Sequence, residues 1–245
     1  MSQWLFDLGN TRLKFAPRQS QGAGPVHVWT HQDQERPLPE LSDLPRGSVA
    51  WVASVADPQL RDRLVSRLAQ CFDRVEVAAS QAGCGRLRSG YADPSRLGVD
   101  RFLALLASSQ AARDCLVVGV GTALTVDLLG ADGRHHGGLI APSPTSMRQA
   151  MHLKAAHLPA TGGQEVAFAD NTLDALAGGS LGAALGLIER CLRKGTALLG
   201  VPLDLVVHGG GADPLLPHLP MARHVPGLVL DGLSAWAVQQ NRETA

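Results

Sequence analysis

Near its N-terminus the chain reads Phe6-Asp7-Leu8-Gly9-Asn10-Thr11-Arg12-Leu13-Lys14-Phe15. An apolar run, Trp4 to Phe6, delivers an Asp, then a Gly turn, then Asn and Thr, and Leu13 and Phe15 alternate around Lys14. The pattern predicts a β-hairpin whose tight turn carries one carboxylate, two small hydrogen-bonding side chains and one ammonium. Backbone N–H groups in such a turn, beside a lysine, suit phosphate, and a carboxylate next to phosphates suits Mg²⁺. An ordinary Asx turn with a solvated lysine has the same local pattern, so the rest of the chain must decide between them.

Two more glycine turns follow predicted strands, one at Gly119 and Gly121 with Thr122-Ala123, the other at His208-Gly209-Gly210-Gly211-Ala212. Each lets backbone approach a ligand closely, and the last could face a nucleobase. A G-x-G-x-x-G dinucleotide fingerprint would need glycine where the chain has Leu124, and no G-x-x-x-x-G-K-[ST] run occurs. Asp100-Arg101 places a carboxylate able to accept a proton next to a forked cation suited to a carboxylate or a phosphoryl group. On a helix such a pair is more often a surface ion pair. Asn171-Thr172 reads as the start of a long helix, with Thr172 as a candidate cap, and His135-His136 as a polar hairpin tip. His208 reads as a strand end and Asp127 as the anchor of a turn.

The elements that must hold these residues follow from hydrophobic periodicity. Strands are expected at Trp4–Leu8, Leu13–Ala16 and Val26–Thr30, with a polar linker at Arg18–Pro25 and a Pro- and charge-rich loop at Gln32–Gly47. A buried strand at Val49–Val55, a helix at Pro58–Cys71 and a strand at Val75–Ala79 come next, giving a mixed sheet. A helix over Ser95–Ala112 precedes strands at Leu116–Val120 and Thr122–Leu129. A loop entered by Gly137–Ile140 leads to a helix at Ser143–His157, and Leu173–Leu199 forms one long helix or two joined near Gly178-Gly179. The chain closes with a strand at Leu205–Val207, a helix starting at Pro214–Leu219, a strand at His224–Val229 and a helix at Asp231–Gln240. The strand, Gly-Thr turn and strand of the second half echo the first hairpin roughly 110 residues earlier, as an internal duplication would.

Composition sets the bounds. Of 245 residues 45% are hydrophobic, enough for one large domain or two intimate small ones. The 22 basic and 22 acidic residues cancel, which gives no basic surface for nucleic acid. Lysine occurs only at positions 14, 154 and 194, so a lysine inside a glycine turn stands out. Cys71, Cys84, Cys115 and Cys191 form no C-x-x-C pair and read as buried reduced thiols rather than a zinc or disulfide framework. No signal-peptide pattern and no membrane-spanning apolar run are expected, and the expected compartment is the cytoplasm.

Taken together, five motifs in order resemble the type III pantothenate kinase family within the actin-like, Hsp70-like and sugar-kinase superfamily. They are Asp7-Leu8-Gly9-Asn10-Thr11-Arg12-Leu13-Lys14, Gly98-Val99-Asp100-Arg101, Gly121-Thr122-Ala123-Leu124-Thr125-Val126-Asp127, Gly137-Gly138-Leu139-Ile140-Ala141-Pro142 and Asn171-Thr172. The resemblance implies an α/β fold of duplicated actin-like (ribonuclease H-like) halves, residues 1–112 and 113–245, each a mixed β-sheet with flanking helices. It implies ATP-dependent phosphorylation of pantothenate, the first step of coenzyme A biosynthesis. Asp7, Leu8, Gly9, Asn10, Thr11, Arg12, Leu13 and Lys14 would hold the ATP phosphates, with Asp7 placing Mg²⁺, and Thr122 would meet the nucleotide from the opposite turn. Tyr91, Gly98, Val99 and Arg101 would border pantothenate, Asp100 would accept the proton, and Thr172 would complete the pocket across a homodimer interface. Neither a membrane nor a nucleic acid is an expected partner.

One position departs from the family pattern. An Asp two residues before the Gly-Thr-Ala glycine usually ligates a monovalent cation, K⁺ or NH₄⁺, and here that position is Gly119. The cation site is then either lost or built from other oxygens. Two rival readings follow: a catalytically altered family member acting as an accessory regulatory factor, and another superfamily enzyme such as a sugar- or acetate-type kinase or a polyphosphate-processing phosphatase. The Gly98–Arg101 motif and Tyr91 argue against the second.

Overall fold

Trp4, Phe6 and Leu8 alternate with Leu5 and Asp7 along β1 (Gln3–Leu8), so the strand has an aromatic face and a face that carries the carboxylate. The turn returns β2 (Arg12–Gln19) antiparallel, with Phe6 opposite Phe15 and Asp7 opposite Lys14. A computed structural model describes residues 2–20, 22–31 and 38–243 of the chain. Residue 21 of the expected linker and residues 32–37 of the expected loop lie outside the described residues.

The chain divides into two compact units. The first comprises Met1–Ala112, Asp132–His135 and Gly227–Ala245. In its sheet β3 (Gly22–Ala23) and β4 (His27–Thr30) both pair with β2, while β5 (Gly47–Ser54) and β6 (Phe72–Val77) extend it in parallel beyond β1. Helix α1 (Pro58–Leu68) begins where Asp57 Oδ1 accepts the Gln59 N–H at 2.8 Å, and it buries Leu64 and Leu68 against Phe6, Leu8 and Val52. β7 (Gly83–Cys84) and β8 (Leu87–Arg88) form a small ribbon ahead of helix α2 (Val99–Ser109).

The second unit comprises Arg113–Ala131 and His136–Pro226. Its sheet runs β11 (His135–Pro142), β10 (Ala123–Leu129), β9 (Cys115–Val120), β12 (Asp204–His208), β13 (Ala222–His224). β10 lies antiparallel on β9, and β12 and β13 add in parallel on the other side. Helix α3 (Pro144–Lys154) follows β11, and helix α4 (Thr172–Leu199) lays Leu181, Ala184 and Ile188 against Val118, Val126 and Val207. Both sheets thus share one plan: a first strand with its hairpin partner and a third strand on one side, and two later parallel strands on the other. That repeated strand order is what an internal duplication produces.

Several expected elements differ. The Ser95–Ala112 helix is a 3₁₀ turn at Pro94–Arg96 followed by α2, because Leu97 and Gly98 are extended and Ser80 Oγ donates to the Leu97 carbonyl at 2.7 Å. Part of the Arg18–Pro25 linker is β3, tied by an Ala23 N–H donated to Asp231 Oδ1 at 3.1 Å. Gly137–Ile140 lies within β11 rather than a loop, since an outer strand needs only backbone pairing on one side. Pro214–Leu219 yields only a 3₁₀ turn at Leu216–His218, around a proline that cannot donate.

The strand expected at His224–Val229 stops at His224, Pro226 and Gly227 intervene, and helix α5 (Leu228–Glu243) starts at Leu228. α5 packs on α2, and its Trp236 meets Trp51 edge-on with centroids 5.8 Å apart, so the C-terminus belongs with the first unit rather than with residues 113–226. Gly178-Gly179 leaves α4 unbroken, and this helix is by length and composition apolar enough to cross a membrane, contrary to the expectation of no such run. Its buried stripe, Leu181, Ala184 and Ile188, lies on the sheet of the second unit.

The start of α4 is a reciprocal cap. Asn171 Oδ1 accepts the Asp174 N–H at 3.0 Å, Asn171 Nδ2 donates to Asp174 Oδ2 at 2.8 Å, and the Gln164 N–H reaches Asp174 Oδ1 at 2.6 Å. These bonds hold the Asp174 carboxyl below its usual range, Asn171 contributing most. Asn171→Ala is expected to cost about 1 kcal/mol in urea denaturation. The Asp174 contribution is full above the ordinary carboxylate range and is lost as pH falls through its lowered value.

Candidate active site

In the first unit the Asp7 turn is pinned from three sides. Gly9 N–H donates to the Arg12 carbonyl at 3.0 Å, His31 N–H to Thr11 at 3.0 Å and Val55 N–H to Leu8 at 3.1 Å. Asn10, Thr11 and Arg12 are exposed at the tip, whereas Leu8 and Leu13 are fully buried and can offer a ligand only backbone. Burial pushes the Asp7 carboxyl up to about 7; Lys14, its cross-strand partner, draws it down, and the Asp100 charge adds to the rise. This half-buried carboxyl at the turn, with one ammonium opposite, is a candidate ligand for a cation.

The other predicted residues of this unit gather at the start of α2. Gly98 caps the helix without a side chain, and Asp100 Oδ1 accepts the Arg101 N–H at 2.8 Å in its place. A methyl group at position 98 would lie 2.8 Å from that oxygen, so the glycine leaves room for the carboxylate. Val99 is the first helical residue and half-buried.

Arg101 is only 5% exposed, which corrects the reading of Asp100-Arg101 as a surface pair. Its Nη1 donates to Tyr91 Oη at 3.0 Å and its guanidinium carbon lies 5.7 Å from the Tyr91 ring centroid. The Tyr91 ring stacks on His135, centroids 5.9 Å apart and planes 13° from parallel. His135 is fully buried at the start of β11, where Tyr91 stacks on it, and is no hairpin tip.

In the second unit the Gly121-Thr122 turn joins β9 to β10, closed by the Gly121 N–H donated to Ala123 at 2.9 Å. The Thr122 carbonyl accepts from Ser146 Oγ at 2.6 Å and from Ser143 N–H at 3.4 Å, so the first turn of α3 sits against it. Gly209 turns the chain back over the end of β9 at φ 98°, where a methyl group would meet the Val120 carbonyl at 2.3 Å; only glycine fits.

The result is a cleft of ≈ 320 Å³ lined by Val120, Ser143, Thr145, Gly210, Gly211 and Asp213. The positive end of α3 opens beside it. Thr172 is the exposed first residue of α4, and the cap is Asn171. Asp127 is buried in mid-strand rather than anchoring a turn. Among the described residues no group of three or more His, Cys, Asp or Glu gathers to hold a metal. All four cysteines are free; Cys191 is only partly buried, and burial followed by the Asp204 charge pushes the Cys115 thiol up to about 12.

Residues 4–194 match the family model described as type III pantothenate kinase. The type III pantothenate kinase of Stenotrophomonas maltophilia (strain K279a) is 54% identical over 240 residues, covering 98% of this chain and 99% of the relative. That of Xanthomonas axonopodis pv. citri (strain 306) is 54% identical over 237 residues, covering 97% and 98%. Among solved structures, a Campylobacter jejuni protein given as a Baf family transcriptional activator aligns with TM-score 0.63 at 18% identity over 98% of this chain and 99% of its own. A Sinorhizobium meliloti protein given as a 2-dehydro-3-deoxygalactonokinase aligns with TM-score 0.53 at 14% identity over 96% and 98%.

At such identities these structures speak to the fold alone, an α/β fold of mixed sheets with flanking helices. The full-length relatives say more. The family model spans residues 4–194 and the relatives are 54% identical over nearly the whole chain, and on that ground the chain belongs to the type III pantothenate kinase family.

Proposed function

We propose that this chain phosphorylates pantothenate with ATP to give 4'-phosphopantothenate, the first step of coenzyme A biosynthesis. The observation that carries the reading is the start of α2, where the Asp100 carboxylate stands beside a buried Arg101 locked to Tyr91. The test is pantothenate-dependent ADP release by the purified protein.

In the proposed reaction the primary alcohol of pantothenate attacks the γ-phosphorus of ATP. Asp100 accepts the hydroxyl proton, the bond from the γ-phosphorus to the bridging oxygen breaks, and ADP leaves. Arg101 offers its fork to the pantothenate carboxylate, and Tyr91, Gly98 and Val99 shape the same pocket. Thr172 is read as a contact made across a homodimer interface. The second unit exposes Ile140, Leu153 and Phe168, apolar surface of the kind a second copy would cover. The Asp7–Lys14 turn takes the phosphates, Thr122 meets the nucleotide, and the cleft beside Gly210 and Gly211 takes the nucleoside.

Mg²⁺ bound with ATP would neutralise charge on the transferring phosphoryl group. The residues present fit it, because Asp7 is a half-buried acid at the turn, its carboxyl raised by desolvation, with Lys14 opposite. Free thiols at all four cysteines suit a reducing compartment, and we read this as the cytoplasm. Tyr91→Phe removes the acceptor for Arg101 Nη1 and is expected to raise the pantothenate KM about three- to tenfold, with the ATP KM unchanged in steady-state kinetics.

A further inference from the structure

Three neighbouring strands of the second sheet present Thr125, Gly119 and His208 in register. Paired residues share one face of a pleated sheet, so position 119 lies between a hydroxyl and an imidazole. A Cβ built on Gly119 would stand 2.6 Å from Thr125 Oγ1, 2.9 Å from His208 Nε2 and 3.1 Å from His208 Cε1. The edge of the imidazole therefore fills the volume that a side chain at 119 would need. Thr125 and His208 are both half-buried, so the ring is not sealed away. Gly121-Thr122 follows directly along β9, and Gly209 directly after His208, so the ring stands at the root of both turns that border the cleft.

The family pattern puts a carboxylate and a monovalent cation at this place, and the residues present do not fit that pair. K⁺ is held by carbonyl and carboxylate oxygens, whereas imidazole suits transition metals. Here the carboxylate is absent and its space is taken by a ring. Removing an anion and a cation together leaves the local charge unchanged, so losing the pair does not by itself unbalance the nucleotide side. We propose that this chain binds and uses ATP without a monovalent cation, with the His208 imidazole seated over the bare Cα of Gly119 as the nucleotide-positioning group. The inference rests on the kinase reading above.

The test uses the purified full chain with MgATP and pantothenate in K⁺, NH₄⁺, Na⁺ or tetramethylammonium chloride at equal ionic strength. Alongside it, calorimetry measures binding of a non-hydrolysable ATP analogue with Mg²⁺ in the same four salts. We expect kcat/KM for ATP and the analogue Kd to agree within about twofold across all four. A fall of about tenfold or more in either when K⁺ and NH₄⁺ are withdrawn would overturn the proposal. Absence of turnover in every salt would instead overturn the kinase reading and leave the calorimetry to decide the cation question. His208→Ala is expected to raise the ATP KM about tenfold with the pantothenate KM unmoved, and His208→Asn, which keeps an N–H donor, to recover much of it. An unchanged ATP KM in folded His208→Ala contradicts the positioning role, and the salt series on the unaltered chain decides the question if the variant does not fold.

Discussion

Asp100→Asn is expected to lower pantothenate-dependent kcat by about 10²- to 10⁴-fold, with the fold and the ATP KM preserved. The expectation rests on what asparagine keeps and what it loses. Asp100 Oδ1 accepts the Arg101 N–H at the uncapped start of α2, and an asparagine Oδ1 can accept the same bond, so the helix start survives. What is lost is the only atom in this proposal able to take the hydroxyl proton. The substitution also removes the charge that adds to the rise of Asp7, so the Asp7 carboxyl should titrate lower in the variant. ADP release and a thermal melt on the same preparation check both parts. A loss of less than about tenfold in a folded variant would remove Asp100 from the proton-accepting role.

Asp7→Asn is expected to separate stability from activity. Burial raises the Asp7 carboxyl from 3.8 to about 7, so between those values the native state holds a proton that the unfolded chain has released. Where the native state binds more protons, stability falls as pH rises; this loss accumulates from about pH 4 to about pH 7 and is constant above. At about 1.4 kcal/mol per pKa unit, the penalty at pH 8 is at most about 4 kcal/mol, and less because Asp7 is only half-buried.

An asparagine there carries no charge. The nucleotide-free variant should therefore be more stable than the parent by about 1–4 kcal/mol at pH 8, and the gain should shrink towards pH 5. Its use of MgATP should fall by about 10²-fold or more, because the acid proposed to place Mg²⁺ beside the phosphates is gone. Chemical denaturation at pH 5 and pH 8 without nucleotide provides the measurement. A variant less stable than the parent at pH 8 would make the Asp7 carboxylate a structural group instead.

How far the sequence could be read depends on whether a feature is local. β1, β2 and β10 were legible from period-two alternation, and β9 and β12 from short apolar runs, each beside a glycine turn, which is a signal carried within ten residues or so. The Asp7 turn and the Gly121-Thr122 turn were legible for the same reason. The break at Leu97-Gly98 was not, because the apolar spacing continues across it and the interruption comes from Ser80, reaching in from another segment.

Arg101 carries no local sign of burial, yet it is 5% exposed, bonded to Tyr91, on which His135 stacks from a distant stretch. The return of α5 to the first unit depends on its packing with α2 and on Trp51 meeting Trp236, neither of which leaves a periodic trace. His208 over Gly119 follows from the register between β9 and β12, which no single stretch of sequence encodes. The sequence could report a glycine where an acid was expected, but not what fills the space.

The central claim, that this chain phosphorylates pantothenate, meets its most direct test in one assay. Purified protein is given MgATP with and without pantothenate, ADP is followed in time, and the product is identified by mass. The prediction is ADP release that requires pantothenate and matches 4'-phosphopantothenate mole for mole. ATP hydrolysis indifferent to pantothenate, or ATP bound with no turnover in any salt, would contradict it.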